Sequence, residues 1–223
     1  MLCIFFIILI SCIAMISLAT PGLFTSHDGE THIRRLIQFH QTLNDGQFPP
    51  RWAPDFFGGI GSPVLLLNYH LPYTVADLFI RVGLSFIDAF KISLALSYIV
   101  SGVFAFIAFQ ALYGTAAGIT GALLYTWVPY RFVDVYVRAA FGESFAFMFP
   151  PLILLGITRA SLVVTTLGFA GLFLSHPVAS AMFTPFFLGY ILLRYGVSQP
   201  DIEKVKKLLL ALVLALAVAS YNI

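Results

Sequence analysis

An acid and histidine cluster, His27–His32, is the densest group of reactive side chains in the sequence. If Asp28 begins a helix, His32 and Arg35 follow on the same helical face, whereas Glu30 lies on a neighbouring face. A carboxylate beside an imidazole can serve as a general base, because partial burial raises its pKa towards neutrality. We therefore predict catalytic roles for Asp28, Glu30 and His32, and a substrate-binding role for Arg35.

The same cluster has two other interpretations. Thr25 and Asp28 could form a capping box, with Glu30 and Arg34 as an ordinary solvated ion pair. Alternatively, Asp28, Glu30 and His32 offer the oxygen and nitrogen donors that a divalent metal accepts. Their spacing matches no zinc motif such as H-E-x-x-H, so a divalent metal cofactor stays open and no metal ligand is assigned.

A second cluster runs from Pro129 to Arg138 and continues to Glu143. Arginine offers planar, bidentate donors to phosphate oxygens and stays charged when partly desolvated. We predict that Arg131, Arg138 and Glu143 bind substrate. On a structural interpretation, Arg131 reaches back to the membrane interface and Arg138 pairs with Asp134 one helical turn away.

Two histidines and a tyrosine lie in otherwise apolar segments. A lone histidine in such a place more often forms a structural hydrogen bond. His176, however, precedes a proline that leaves carbonyl groups without helical partners near it. We include Tyr69, His70 and His176 among the predicted substrate-binding residues.

The elements that position these residues are predicted to be membrane helices. Of the 223 residues, 60% are hydrophobic and 10% are charged, and the mean hydropathy is +0.94. Several uncharged stretches are long enough to cross a bilayer. The sequence thus predicts an all-α protein, a polytopic transmembrane helical bundle in the lipid bilayer. A net charge of +2 without a basic run argues against binding to nucleic acid.

The chain divides into three predicted regions. Residues 1–20 form the first transmembrane helix, and residues 21–88 form a long loop with interfacial or re-entrant helices. One is an amphipathic helix over Glu30–Asn44 with Ile33, Leu36, Ile37 and His40 on one face. Residues 89–223 contribute about six further helices, which gives seven crossings. Because the chain ends directly after an apolar run, we expect the bundle to continue in a longer protein.

The positive-inside rule predicts the orientation in the cell membrane. With a cytoplasmic N-terminus, the basic residues near the later helix ends lie inside: Arg159, Arg194, Lys204, Lys206 and Lys207. The long first loop is then extracytoplasmic. The second cluster, with Arg131 and Arg138, meets the membrane on that same outer side.

The chain resembles the GT-C superfamily of membrane glycosyltransferases. It is more closely similar to multi-pass membrane proteins labelled as related to 6-pyruvoyl-tetrahydropterin synthase, a label that does not state an activity. The resemblance covers the whole chain in order and rests on His27-Asp28 with His32, Gly46–Trp52, Asp55–Pro63, Leu71-Pro72-Tyr73, Pro129-Tyr130-Arg131, and Tyr136-Val137-Arg138 with Glu143.

The resemblance implies a GT-C-like fold and the transfer of a sugar from a polyprenyl-phosphate-linked donor on the extracytoplasmic face, with inversion. It implies Asp28 as the base and Arg131 and Arg138 as partners of the departing phosphate. The acceptor, which could be a glycan, a lipid or a protein, stays open.

The alternative is a non-catalytic transporter, flippase or scaffold that binds an anionic lipid or glycan. Because the mid-span regions after residue 89 carry few charges, surface chemistry is favoured over transport.

Overall fold

The computed structural model describes residues 1–198 and 200–222, and this part of the chain forms helices and no β-strand, apart from one isolated bridge between Ala53 and Ser62. The predicted all-α class is confirmed. The helices are α1 (Leu2–Ala14), α2 (Gly29–Asn44), α3 (Phe56–Gly59), α4 (Leu71–Arg81), α5 (Phe86–Tyr113), α6 (Thr115–Trp127), α7 (Pro129–Phe132), α8 (Phe141–Ala146), α9 (Phe149–Thr158), α10 (Leu162–Ser175), α11 (Pro177–Ile191) and α12 (Ile202–Ala219). Short 3₁₀ segments cover Ile16–Ala19, Pro63–Leu65 and Ser220–Asn222, and π-helical turns cover Val133–Arg138 and Leu192–Ser198.

Three helical segments in the described part of the chain are long and apolar enough to cross a bilayer: Phe86–Tyr113, Phe141–Thr158 and Pro177–Ser198. Two more helices, α1 and α10, are apolar but shorter. The first helix stops at Ala14 and continues as a 3₁₀ turn, so it is shorter than the predicted span over residues 1–20. The structure supports a membrane protein, and the seven predicted crossings stay a prediction.

Helix α5 is the central element of the bundle. At about 1.5 Å per residue, its 28 residues extend for about 42 Å. The hydroxyl of Ser85 caps its start by accepting from the backbone N–H of Asp88, and Gly114 ends it with a positive φ of 86°. Helices α1, α4, α6 and α9 pack around α5, and α10 packs against α9 and α12.

The basic residues of the later helices lie together at one end of the bundle. The Tyr195 hydroxyl donates to the carbonyl of Ile157 at 2.9 Å, two residues before Arg159, and the Lys204 ammonium lies 5.4 Å from the Tyr195 ring centre. Helix α12 leads away from this end, and Tyr221 beyond it stacks on Phe48. The long first loop therefore covers the opposite end of the bundle.

Helix α2 buries part of the predicted apolar face. Leu36 is buried and Ile33 packs against the core, whereas Ile37 is 38% exposed. The inward face also carries Phe39 and His32, because α2 packs on α4 and α5. His40 bonds to the buried Asp77 of α4 at 2.5 Å, which fixes the far end of α2.

Candidate active site

The two predicted clusters are joined by their main chains. The backbone N–H of His27 donates to the carbonyl of Val137 at 2.9 Å, and that of Asp28 donates to the carbonyl of Arg138 at 3.0 Å. Asp28 occupies the N-cap position of α2 but forms no side-chain cap, so the capping-box interpretation is not realised. Its carboxylate is therefore not committed to its own helix.

A small polar cavity of about 180 Å³ lies at this junction, and we call it the polar cup. Most of the predicted site residues line it. Asp28, His32 and Arg35 share one face of α2, as their spacing predicted. The complete lining is Asp28, Thr31, His32, Arg35, Tyr69, Arg138, Ala140, Glu143 and His176.

Arg138 is the best-anchored cation of the polar cup. Its Nη1 donates to Glu143 Oε2 at 2.7 Å, to the Tyr130 hydroxyl at 3.0 Å and to Asp134 Oδ1 at 3.2 Å. The predicted Asp134 pair is thus present, but it is one part of a network. All three bonds are donated by Nη1. Among the described residues, the Nε and Nη2 groups of Arg138 have no recorded partner, so they are available to a ligand.

The direction of Arg138 follows from a local break in helical geometry. The π-helical turn over Val133–Arg138 is followed by Ala139 in a left-handed conformation, with φ of 53°. A non-glycine residue in this region carries backbone strain, which is found preferentially at functional sites. The break lets the chain turn from Arg138 into α8, and this turn brings the Glu143 carboxylate into contact with the Arg138 guanidinium.

His32 is a neutral, fixed member of the site. It is buried, and its Nδ1 lies 2.7 Å from the Tyr73 hydroxyl. Burial, with help from the nearby Arg35 charge, lowers the pKa of His32 to about 3. An imidazole with so low a pKa is a poor proton acceptor at neutral pH, so the geometry favours a positioning role over a basic one.

Two further rings close the cup. Burial raises the pKa of Tyr69 to about 12, so its hydroxyl stays protonated as a hydrogen-bond donor. The Tyr69 ring lies 5.7 Å from that of His176. The His176 Nδ1 accepts from the backbone N–H of Ala179 at 3.2 Å, and burial, reinforced by Arg138, lowers the His176 pKa. The neutral ring therefore carries its proton on Nε2.

Asp134 lies directly behind Arg138 and is fully buried. Its Oδ2 accepts from the Ser144 hydroxyl at 2.9 Å. Burial and the neighbouring Glu143 carboxylate raise the pKa of Asp134 to about 7. Asp134 can thus gain or lose a proton near neutral pH, which would change the net charge beside Arg138.

A larger cavity of about 470 Å³ adjoins the polar cup, and we call it the apolar groove. Arg138, Glu143 and His176 line both cavities. The rest of the groove is mainly apolar and lies between α8 and α11: Tyr130, Ala146, Phe147, Val178, Ala179, Met182 and Phe183. Both helices belong to candidate membrane-spanning segments, so the groove leads from a polar end into the apolar part of the bundle.

Three predicted site residues lie outside the polar cup. Glu30 is 81% exposed and pairs with Arg34 at 3.7 Å, as its structural interpretation proposed. His70 is buried, with Nε2 at 2.8 Å from the carbonyl of Leu65.

Arg131 is the third residue outside the cup. It is buried between the rings of Tyr98 and Phe147, at 5.0 and 4.6 Å from their centres, and its Nη2 donates to Ser101 at 3.2 Å. The structural interpretation proposed that Arg131 reaches the membrane interface. The burial of its side chain shows that it does not. It lines a separate cavity of about 490 Å³ with Tyr125 and other residues of α6.

Sequence reasoning missed Thr31, Tyr73, Tyr130 and Ala140. Thr31 could have been found, since it lies three residues after Asp28 and four before Arg35 on the same helical face. Tyr130 and Ala140 depend on the π-helical turn, which has no clear sequence signature. Among the described residues, no group of three or more His, Cys, Asp or Glu side chains is placed to hold a metal ion.

Comparisons with protein-family models, with curated proteins and with solved structures find no match to this chain. The resemblance to the GT-C superfamily therefore depends on the motifs in the sequence. The chemistry of the site has to be inferred from the geometry of the polar cup and the apolar groove.

Proposed function

We propose that this protein is a polytopic, GT-C-type membrane glycosyltransferase that takes a sugar from a polyprenyl-phosphate-linked donor on the extracytoplasmic face. One observation carries the proposal: a polar cup with two carboxylates and two arginines opens into an apolar groove between candidate membrane helices. This combination fits an amphiphile with an anionic head and an apolar tail. It fits a small soluble substrate poorly, because most of the groove offers no polar partner.

The proposed reaction is a single displacement. A hydroxyl oxygen of the acceptor forms a bond to the anomeric carbon, and the bond from that carbon to the phosphate oxygen breaks. The electron pair leaves on polyprenyl phosphate, and the hydroxyl proton passes to the Asp28 carboxylate. Attack from the face opposite the leaving group inverts the anomeric carbon.

The residues around the cup have separate roles in this reaction. Arg138 stabilises the charge that builds on the departing phosphate, through its Nε and Nη2 groups. His32 positions Tyr73 and the inner wall of the cup. With both histidines neutral, Arg35 and Arg138 balance Asp28 and Glu143, so an added phosphate makes the cup negative. Asp134 beside Arg138 adds a further negative charge when it is ionised, and protonation removes that charge, so donor binding is expected to favour proton uptake by Asp134 near pH 7.

The Asp28→Asn variant tests the proposal. The full-length protein in lipid nanodiscs is given a panel of undecaprenyl-phosphate-linked sugars, and free undecaprenyl phosphate is measured by mass spectrometry. Without the base, we expect the release rate to fall by about 10² to 10⁴, whereas donor binding persists because the apolar groove is intact. Asp45→Asn is the matched control, since Asp45 is exposed beyond the opposite end of α2.

Undiminished release by Asp28→Asn would remove Asp28 as the base. Wild-type protein that binds these donors but releases no undecaprenyl phosphate would favour the alternative, a flippase or scaffold that holds an anionic lipid. Absence of both binding and release across the panel would reject the lipid-donor proposal.

A further inference from the structure

Another cavity adjoins the polar cup on the side away from the apolar groove, and we call it the arginine groove. Its volume is about 370 Å³, and its lining is Thr31, Arg34, Arg35, Phe56, Phe57, Ser62 and Val64. Thr31 and Arg35 line both this groove and the polar cup. The cup with Asp28 therefore lies between an apolar cavity and a cationic, aromatic one.

The outer wall of the arginine groove is a loop fixed onto α2. Ala53 and Ser62 exchange two backbone hydrogen bonds of 2.8 and 2.9 Å, which close the loop. The amide of Gln38 on α2 donates to the Asp55 carboxylate at 2.8 Å and accepts from the Asp55 backbone N–H at 2.9 Å. The wall is thus preorganised, which lowers the entropic cost of binding a ligand against it.

An aromatic side chain is held out at this wall. Phe57 is 76% exposed and has a positive φ of 55°, a conformation that a bulky residue rarely adopts. Neighbouring glycines also have positive φ values, so the loop is built around this unusual turn. Strain that serves no packing purpose is typical of ligand-binding positions, and an exposed ring beside a cavity offers a flat apolar face to a sugar ring.

The opposite wall is cationic. The Arg34 side chain is 72% exposed, and its one recorded ion pair, to Glu30 at 3.7 Å, is long and solvated, so the pair contributes little. Arg35 is half-buried and lies deeper, at the boundary with the cup. Two adjacent guanidinium groups can bind a carboxylate or a phosphate with planar, charge-assisted hydrogen bonds.

We infer that the arginine groove binds the acceptor of the transfer reaction, and that this acceptor is an anionic glycan. The inference rests on the proposed function, because a single displacement needs the acceptor on the side of the anomeric carbon opposite the leaving phosphate. The apolar groove and the arginine groove lie on two sides of Asp28 in this way. The acidic group of the glycan contacts Arg34 and Arg35, a sugar ring stacks on Phe57, and the attacking hydroxyl reaches Asp28.

Binding can be measured without knowledge of the donor. The chain has two tryptophans, and the indole of Trp52 lies against Gly61 in the groove wall. In a Trp127→Phe background, Trp52 fluorescence is recorded while the full chain in nanodiscs is titrated with glucuronate, glucose 1-phosphate, glucose or inorganic phosphate. We expect a saturable change with glucuronate, glucose 1-phosphate or both, and at least about tenfold weaker binding of glucose and of inorganic phosphate. The two anionic probes show whether the acid is a carboxylate or a phosphate.

Variants assign the signal to the groove. Arg34→Gln removes a charge that lines this groove alone, and Phe57→Ala removes the exposed ring. Each should weaken binding of the preferred anionic sugar about tenfold or more, because Arg34→Gln loses a charge-assisted hydrogen bond and Phe57→Ala loses the ring on which the sugar stacks. Arg51→Gln is the matched control: it removes an exposed arginine from the same loop region without touching the lining.

Equal affinity in wild type, Arg34→Gln and Phe57→Ala would overturn the inference, as would inorganic phosphate binding as tightly as the sugars. Asp28→Asn separates the two proposals, because it should retain anionic-sugar binding even though transfer is lost. Sugar binding in a protein that releases no lipid phosphate would reject the transferase and retain an anionic-glycan site. Lipid-phosphate release that is unaffected by Arg34→Gln would reject the acceptor groove alone.

Discussion

At the scale of single residues, the ionisable side chains around the polar cup differ in how far water reaches them, and this difference separates their roles. Asp28 is exposed at the start of α2, whereas His32, one turn later, is buried against Tyr73. Burial keeps His32 neutral with a pKa of about 3, and it brings the pKa of Asp134 to about 7. Asp28 and His32 belong to one sequence cluster, but we assign them different roles: Asp28 as the base and His32 as a positioning residue.

His32 should make the protein sensitive to acid. Its pKa in the folded state, about 3, lies below the ordinary value of 6.5, so the unfolded chain binds a proton first as the pH falls. This group's contribution to the free energy of unfolding is full above pH 6.5. It is lost as the pH falls from 6.5 towards 3, at no more than about 1.4 kcal/mol per pH unit.

The variant His32→Gln tests this acid sensitivity, because the glutamine side chain does not titrate between pH 3 and pH 7. Thermal unfolding in nanodiscs from pH 7 to pH 4 should show a smaller loss of Tm for His32→Gln than for the wild type. His27→Gln, at an exposed position, is the control and should follow the wild type. If wild type and His32→Gln lose Tm in parallel, His32 is not buried in its neutral form.

Helical spacing predicted the α2 side of the site, because residues at i, i+4 and i+7 share a face in any regular helix. That is why Asp28, His32 and Arg35 were found together. Spacing could not relate Arg131 to Arg138 in the same way, because a π-helical turn lies between them. Arg131 is buried in the core, whereas Arg138 lines the cup.

At the scale of elements, the polar cup depends on the close approach of α8 to the segment before α4. Gly142 allows this approach: a Cβ there would collide with the Tyr69 ring and would lie 2.7 Å from the carbonyl oxygen of Ser175. Tyr69 lines the cup and Ser175 precedes His176, so one glycine sets the spacing of two walls of the site.

Gly142→Ala should therefore both destabilise the fold and reduce ligand binding. Overpacking of this kind costs about 1–3 kcal/mol, because Tyr69 or the end of α10 has to shift. Gly189→Ala in α11 is the matched control: nothing lies within 4 Å of its Cβ position, and alanine favours a helix by up to about 1 kcal/mol. The Tm in nanodiscs and the affinity for a polyprenyl-phosphate sugar are the measurements. A Tm for Gly142→Ala equal to that of Gly189→Ala would contradict the tight approach.

The sequence predicted the existence of the elements better than their lengths. Apolar composition marked the spans, but hydropathy does not reveal where a helix changes geometry. The first apolar run leaves the α-helical path at Met15, and α6 ends at Trp127, before Pro129. Both helices are 13 residues long and fall short of a full crossing. The inward face of α2 also includes Phe39 and His32, because it is determined by the contacts of α2 with α4 and α5.

At the scale of the whole molecule, the charges are separated along the bundle. The polar cup, the apolar groove mouth and the arginine groove lie at one end, whereas Arg159, Arg194 and Lys204 lie at the other. The positive-inside rule, which exempts long loops, predicts that the end with Arg159, Arg194 and Lys204 is cytoplasmic, with Arg131 and Arg138 outside against the rule. The site then faces the extracytoplasmic side.

This orientation can be tested by labelling single cysteines in intact cells. In a background with Cys3→Ser and Cys12→Ser, Glu30→Cys should react with a membrane-impermeant maleimide, and Lys206→Cys should react only after the cells are permeabilised. Both positions are exposed on their helices, so accessibility depends on the side of the membrane alone. The reverse pattern of labelling would invert the topology and move the proposed chemistry to the cytoplasm.

The main-chain link between residues 27–28 and 137–138 has a consequence for how this site can change. Two amide-to-carbonyl bonds fix the separation of Asp28 and Arg138, and every residue except proline can supply them. Side chains at these two positions can therefore be exchanged while their spacing is kept. A scaffold of this kind separates geometry from reactivity, so new substrates or a lost activity need alter only the side chains that the backbone presents.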